Sequence, residues 1–438
     1  MKSIFRGLVV GSLGILLAGF VALGAHPHPP AHPPGPPTPP PPPPSLYRQV
    51  NLVSDLEGVA WYADPNLVNP WGLAITKNGR VWISDNGTGL STVYALSGTV
   101  ASLVVTVAPP GGSTNPAAPS GLVANETGAF VVAKGTNSAP SLFIWSTEDG
   151  TVSGWNPAVD ATASILAIDQ SGSGAVYKGL ALATDAASNQ FIFVTNFHAG
   201  KVEKYDANFA FVTSFTDAGL PAGYAPFGIQ EFNGQLYVTF ALQDAEAHDD
   251  VAGPGNGYVD VFDLTGNLLQ RLAANGPLNS PWGLAMAPPN FGQFANSLLV
   301  GNFGDGRINA YDPITGAYRG QLLDPRGHPI AIGGLWGLVF VDVPGPAAGP
   351  RPPQPPPPPP PPPGPKGDLD DVLQSPALYF TAGINHENDG LFGLIRIAQA
   401  KVPGPVPPPP PVPAPPPPLP PGPGPVPPPG PGPGPVGP

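Results

Sequence analysis

Pro70-Trp71-Gly72-Leu73 recurs five more times with substitutions. The copies are Pro119-Ser120-Gly121-Leu122, Tyr177-Lys178-Gly179-Leu180, Pro226-Phe227-Gly228-Ile229, Pro281-Trp282-Gly283-Leu284 and Leu335-Trp336-Gly337-Leu338. Each copy opens a short apolar run, and successive glycines stand 49, 58, 49, 55 and 54 residues apart. A period near 50 with about four short strands per repeat is the pattern of a β-propeller, whose blades are small antiparallel sheets around an axis. Six copies predict an all-β, six-bladed propeller.

The first repeat shows the plan. Strand a runs from Gly72, Lys77-Asn78-Gly79 turns into strand b at Arg80, Asp85-Asn86-Gly87 leads to strand c, and Ser97-Gly98 turns into strand d. The later repeats follow it. Asp263-Leu264-Thr265-Gly266-Asn267 and Asp312-Pro313-Ile314-Thr315-Gly316 are near-identical c–d turns. In blade 2 either Ser141–Ser146 or Phe130–Ala133 can serve as strand b. Blade 6 lacks a strand d, because proline follows at Val402-Pro403, while one spare strand, 47–53, precedes blade 1. Pairing that strand into blade 6 closes the ring and covers an open sheet edge.

Proline-rich blocks punctuate the chain, which has 70 Pro, 57 Gly and no Cys in 438 residues. The expected division is a secretory signal at 1–25, a proline-rich linker at 26–44, the propeller at 45–402 with a proline-rich insert at 344–367 in blade 6, and a Pro/Gly tail at 403–438. Lys2 and Arg6 followed by an apolar run and small residues are the marks of an export signal. They imply a periplasmic or extracellular address and no membrane span once the signal is removed. Strands a of a propeller begin on one face, here called the top. By connectivity the insert, the linker and the tail all emerge on the bottom. The formal charge of −12 argues against nucleic acid, which needs a basic footprint. A monomer is expected.

All six b–c turns belong on top and carry acidic or amide residues. Asp85, Asn86, Asn196, Asp244, Asn302, Asp305, Asn385 and Glu387 are therefore candidate ligands for Ca²⁺ or another divalent cation, which takes carboxylate and amide oxygens. The competing reading is that Asp and Asn simply build turns. His386 and Glu387, side by side, are candidates for acid–base work. The Trp-Gly motif itself is read as blade packing. No nucleophile elbow, phosphate loop, His-Glu-x-x-His or dinucleotide fingerprint is found, and cysteine catalysis is excluded.

Five stretches carry a resemblance: 51–55, 64–73, 84–89, 148–156 (Glu148-Asp149-Gly150-Thr151-Val152-Ser153-Gly154-Trp155-Asn156) and 379–384. Together they resemble a bacterial exported propeller family, some members of which bear a PEP-CTERM sorting tail; this chain ends in Pro and Gly instead. More distantly the repeats are similar to NHL-repeat and gluconolactonase-like propellers. That similarity implies a divalent metal at the channel mouth in some members and fixes no activity. Two functions stay open: a binding or scaffold module for a small molecule, glycan or protein, or a metal-dependent hydrolase or lactonase-like enzyme with its site at the top-face channel mouth.

Overall fold

A computed structural model describes residues 44–341 and 376–398. The expected signal, almost all of the linker, the insert and the tail lie outside the described residues.

Six sheets form the blades: five have four strands paired antiparallel in chain order, and the sixth has five, with the two-residue strand Tyr62–Ala63 lying parallel on the outer side of Tyr47–Ser54. Blade 1 comprises Pro70–Ile75, Arg80–Asp85, Leu90–Ala95 and Val100–Thr106. Blade 2 comprises Pro119–Ala124, Phe143–Thr147, Thr151–Trp155 and Ile165–Asp169. Blade 3 comprises Tyr177–Thr184, Gln190–Asn196, Lys201–Asp206 and Phe211–Phe215. Blade 4 comprises Tyr224–Phe232, Gln235–Leu242, Tyr258–Asp263 and Leu268–Ala274. Blade 5 comprises Pro281–Met286, Leu298–Asn302, Ile308–Tyr311 and Tyr318–Gln321. Blade 6 comprises Leu335–Phe340, Leu378–Ala382 and Leu391–Ile397.

The strand Tyr47–Ser54 completes blade 6, antiparallel to Leu391–Ile397 from Tyr47↔Ile397 to Ser54↔Leu391. Its inward residues Val50, Leu52 and Val53 join a core with Phe392 and Leu394 of blade 6 and Val81 and Ile83 of blade 1. First and last strands thus lock one blade. Deleting residues 45–54 is expected to abolish cooperative melting, since it strips one strand from the closing sheet. A deletion variant that still melts in one sharp transition at the parent temperature would refute this role for the strand.

In blade 2 the strand beginning at Phe143 is strand b. Residues 131–134 instead pair with 137–140 as a separate hairpin. Phe130 diverts the chain there. Its φ is +58°, and its fully buried ring packs edge-on to Phe209 of blade 3.

The repeated glycine has two physical causes. Strand pairing slips beside each one, as between Pro70 and Leu73 or between Pro226 and Ile229. In four blades a strand-b hydroxyl accepts the freed N–H: Ser146 from Gly121, Thr195 from Gly179, Thr239 from Gly228 and Thr381 from Gly337. Thr195 and Thr381 also donate to the carbonyls of Phe227 and Trp71 in the next blade, at 2.8 and 2.6 Å. Each glycine also abuts the next blade's backbone. A Cβ would meet the Ser120 carbonyl at 2.5 Å from Gly72, Phe227 O at 2.9 Å from Gly179 and Trp71 O at 2.7 Å from Gly337. At Gly121, Gly228 and Gly283 it would lie closer still to Leu180 N, Trp282 O and Trp336 O. The series runs round the ring and returns to blade 1. Below the motif the axis holds a cavity of only about 40 Å³, lined by these glycines and their aliphatic neighbours. That is room for about one water.

Candidate functional site

The residue before each glycine points to the axis at the top. Four are aromatic: Trp71, Phe227, Trp282 and Trp336. They pack with Phe197 and Phe303 into one buried cluster. Trp71 and Trp336 stack at 3.6 Å between centroids, Trp282 meets Trp336 edge-on at 5.6 Å, and Phe303 stacks on Trp336 at 4.1 Å. Aromatic groups of this size dominate packing energetics, and here they plug the channel. Ser120 takes the fifth place, buried and bonded to Tyr177 O of the next blade.

The sixth place is Lys178, whose residue surface is 1% exposed. Its ammonium lies 5.2 Å from the Trp71 ring centroid and 5.8 Å from that of Phe197. It pairs with Glu148 of the blade 2 b–c turn and, at 3.1 Å, with Asp249 of the long blade 4 loop. Burial pulls the Lys178 ammonium toward neutrality, but the two carboxylates outweigh it and hold the pKa above the ordinary lysine value. Asp249 in turn accepts from His248 Nδ1 at 3.0 Å when that nitrogen carries the proton.

A chain of amide bonds extends this ion cluster around the mouth. Asn86 Nδ2 donates to the second Glu148 oxygen at 2.7 Å, and Asn69 Nδ2 donates to Asn86 Oδ1 at 3.3 Å. The Trp336 indole N–H donates to Asn69 Oδ1 at 3.3 Å. Glu387 completes the group on the blade 6 side. Its carboxyl is pushed up to about 7, first by burial and then by Glu148, against the opposing pull of Asn69 and Lys178. The turn that carries it is left-handed at three successive non-glycine residues, Asn385, His386 and Glu387, with φ of 54°, 57° and 64°. Such backbone costs about 1–2 kcal/mol per residue. It aims Glu387 inward while His386 stays exposed.

Of the residues expected at the mouth, Asn86 and Glu387 are drawn into this cluster. The other candidates lie elsewhere or serve their own turns. Asp85 is fully buried at the end of its strand, with neither oxygen hydrogen-bonded, and burial raises its carboxyl well above the usual range. Asn196 donates to the buried Glu203. Asp244 accepts the His248 N–H of its own loop. Asn302 donates to Pro277 O and to Asp305 Oδ1, and Asp305 also accepts the Arg307 N–H. Asn385 bonds to Asp389. Glu148, His248 and Asp249 bring ligand atoms within 4.8 Å of one another, a spacing a cation could bridge. The Lys178 ammonium already lies against two of the three.

The raised Glu387 pKa has a consequence for stability. Folded protein binds this proton more tightly than unfolded chain, so the group's stabilising contribution is full at acid pH. It declines as pH rises from the ordinary glutamate value toward 7. Replacing Glu387 by glutamine is therefore expected to flatten the melting-temperature profile between pH 5 and 7. It should also stabilise the protein at pH 8 by about 2 kcal/mol. Parallel profiles for variant and parent would exclude a buried, titrating Glu387.

No family model matches the chain. The described residues contain no helix long and apolar enough to cross a membrane. The chain is 10% identical to virginiamycin B lyase from Staphylococcus aureus, covering 80% of this chain and 99% of that one at a TM-score of 0.43. It is 13% identical to a putative 6-phosphogluconolactonase from Bacteroides uniformis, covering 59% and 70% at a TM-score of 0.36. Neither likeness bears on activity. Sequence similarity is stronger to proteins of Acanthamoeba polyphaga mimivirus. Uncharacterized protein R648 is 36% identical over 296 residues, 66% of this chain and 72% of that protein. Uncharacterized protein L690 is 35% identical over 299 residues, 66% and 77%. These relatives are viral, whereas the sequence motifs suggested a bacterial exported family. By this identity and coverage, the chain belongs to the family of R648 and L690.

Proposed function

We propose that this propeller is a monomeric, non-enzymatic binding module whose ligand, a small molecule, glycan or protein segment, seats on the top face over Lys178, Glu148 and Asp249. The observation that carries this reading is the buried ammonium itself. A metal-dependent hydrolase needs the mouth carboxylates free to hold its ion, and here Lys178 neutralises them in advance. The aromatic plug beneath closes the channel, so a ligand would rest on the rim. On the strength of the leader at 1–25, the protein is proposed to be exported.

A second reading, the metal-dependent hydrolase, draws on the convergence of Glu148, His248 and Asp249. Melting the unmodified protein with millimolar Ca²⁺ or Zn²⁺ separates the two. A binding module with an occupied cation position is expected to shift by less than a degree. A rise of several degrees with either ion would overturn that reading in favour of the metal site. Mass spectrometry of compounds released from protein purified out of its native host would identify the ligand. Amino-terminal sequencing of the same material tests cleavage of the leader, which retention of residues 1–25 would contradict, and cell fractionation tests export, which recovery only from the cytoplasm would contradict.

A further inference from the structure

Away from the Lys178 cluster, a groove of about 540 Å³ opens between blades 1 and 2, at the end where their strands a finish. Beneath its floor lie three aromatic side chains that are themselves buried. Trp82 stacks on Phe143 at 4.0 Å between centroids, and Trp155 lies 5.0 Å from Trp82. Leu142, 42% exposed, forms one wall, and the exposed Arg80 stands on the rim.

This surface presents the apolar wall of Leu142 and, on its rim, the guanidinium N–H donors of the exposed Arg80. A ligand that fits it brings flat apolar rings and bare carbonyls, with no N–H of its own to bury. Consecutive prolines have those properties: φ is fixed, the amide proton is missing, and the polyproline II helix is already ordered before binding.

The chain carries such a run, Pro355–Pro363, in the segment that connects strands a and b of blade 6. The segment departs after Val341 and returns at Ala377, and both residues pack in one core with Ile75 and Val81 of blade 1. The immediate neighbours of those two, Thr76 and Arg80, line the groove. The anchorage of the segment is therefore about one sheet thickness, roughly 10 Å, from the groove. Nine prolines in polyproline II span about 28 Å. We propose that Pro355–Pro363 docks in this groove in cis, strapping the bottom of blade 6 to the seam between blades 1 and 2.

The test uses the full chain and a variant in which residues 346–364 are replaced by a Gly/Ser segment of equal length. The probe is a synthetic peptide of residues 351–365, titrated by calorimetry and tryptophan fluorescence. The replaced chain is expected to bind the peptide. The full chain should bind it about tenfold more weakly, because a tethered run competes at roughly millimolar effective concentration. Leu142→Glu in the replaced chain should remove binding with the melting temperature kept. Ser102→Glu, on the exposed strand d wall, serves if that variant fails to fold. Equal affinity for both chains, no binding to the replaced chain, or binding untouched by the wall substitutions would each overturn the proposal. So would a concentration-dependent dimer of the full chain that vanishes on replacement, which would place the run in a second copy.

Discussion

Lys178→Met is expected to lower stability by roughly 3 kcal/mol, a fall of roughly 6 °C in a domain of this size. Methionine keeps the stem over Trp71 and removes only the charge, so packing loss is small. What remains is Glu148, largely buried, facing Asp249 and Glu387 with no counter-charge. Breaking a buried pair from one side leaves the other charge uncompensated. The estimate sits at the lower end of the usual range because the Asp249 side chain is 66% exposed and screened by water. The variant should also gain what the parent lacks: a vacated cation position among Glu148, His248 and Asp249. Ten millimolar Ca²⁺ acting on a site of about millimolar affinity would restore about 1.4 kcal/mol, or roughly 3 °C. Adding Glu148→Gln should recover part of the loss and abolish the calcium response. A K178M protein that melts within a degree of the parent would show that the ammonium does not hold the mouth together.

Gly228→Ala is expected to destabilise the protein by about 4 kcal/mol or to cost soluble protein altogether. The new Cβ would be driven into the Trp282 carbonyl of the next blade, with Thr239 Oγ1 only 3.1 Å away on the other side. Relief requires blade 5 to retreat, but blade 5 is fixed the same way against blade 6 through Gly283 and Trp336 O. Around a closed ring no blade can give way alone. The matched control is Gly172→Ala, in the short turn Ser171–Ser173, where an added Cβ meets nothing within 4 Å. That change should be neutral or stabilising by about 0.5 kcal/mol through the unfolded chain. Comparable melting temperatures for the two variants would refute the close-approach account of the repeat.

Most of the architecture could be read from the sequence because it is written in a period. A glycine every 50 residues or so, with hairpin turns between, leaves few alternatives to a propeller. The blade count and the closing strand then follow from bookkeeping of unpaired strands. The site was less legible. Lys178 stands inside the motif that was read as packing, in a place taken elsewhere by Trp, Phe or Ser, and its neighbours suggested one more structural copy. Its partners are 30 and 71 residues away along the chain, and only blade order brings them together. The available signal was the oddity itself: a charged residue at a register position otherwise held by aromatics and one serine must be buried, and a buried ammonium must find carboxylates. The b–c turns misled in the opposite way. Asp85, Asn196 and Asn302 share a turn position that suggested a ring of ligands. Yet each ends a strand, so its side chain is turned into its own blade.

The pairing of first and last strands also orders events during synthesis. Tyr47–Ser54 is made early, but its partner Leu391–Ile397 appears only when nearly the whole ring has been translated. Until then Val50, Leu52 and Val53 lack the Phe392 and Leu394 side of their core, and the strand's backbone groups on that side lie open to other chains. Five blades can assemble in turn by local pairing as they emerge. The sixth must wait for Leu391–Ile397, and closure of the ring is a non-local step that comes after the local pairings and more slowly.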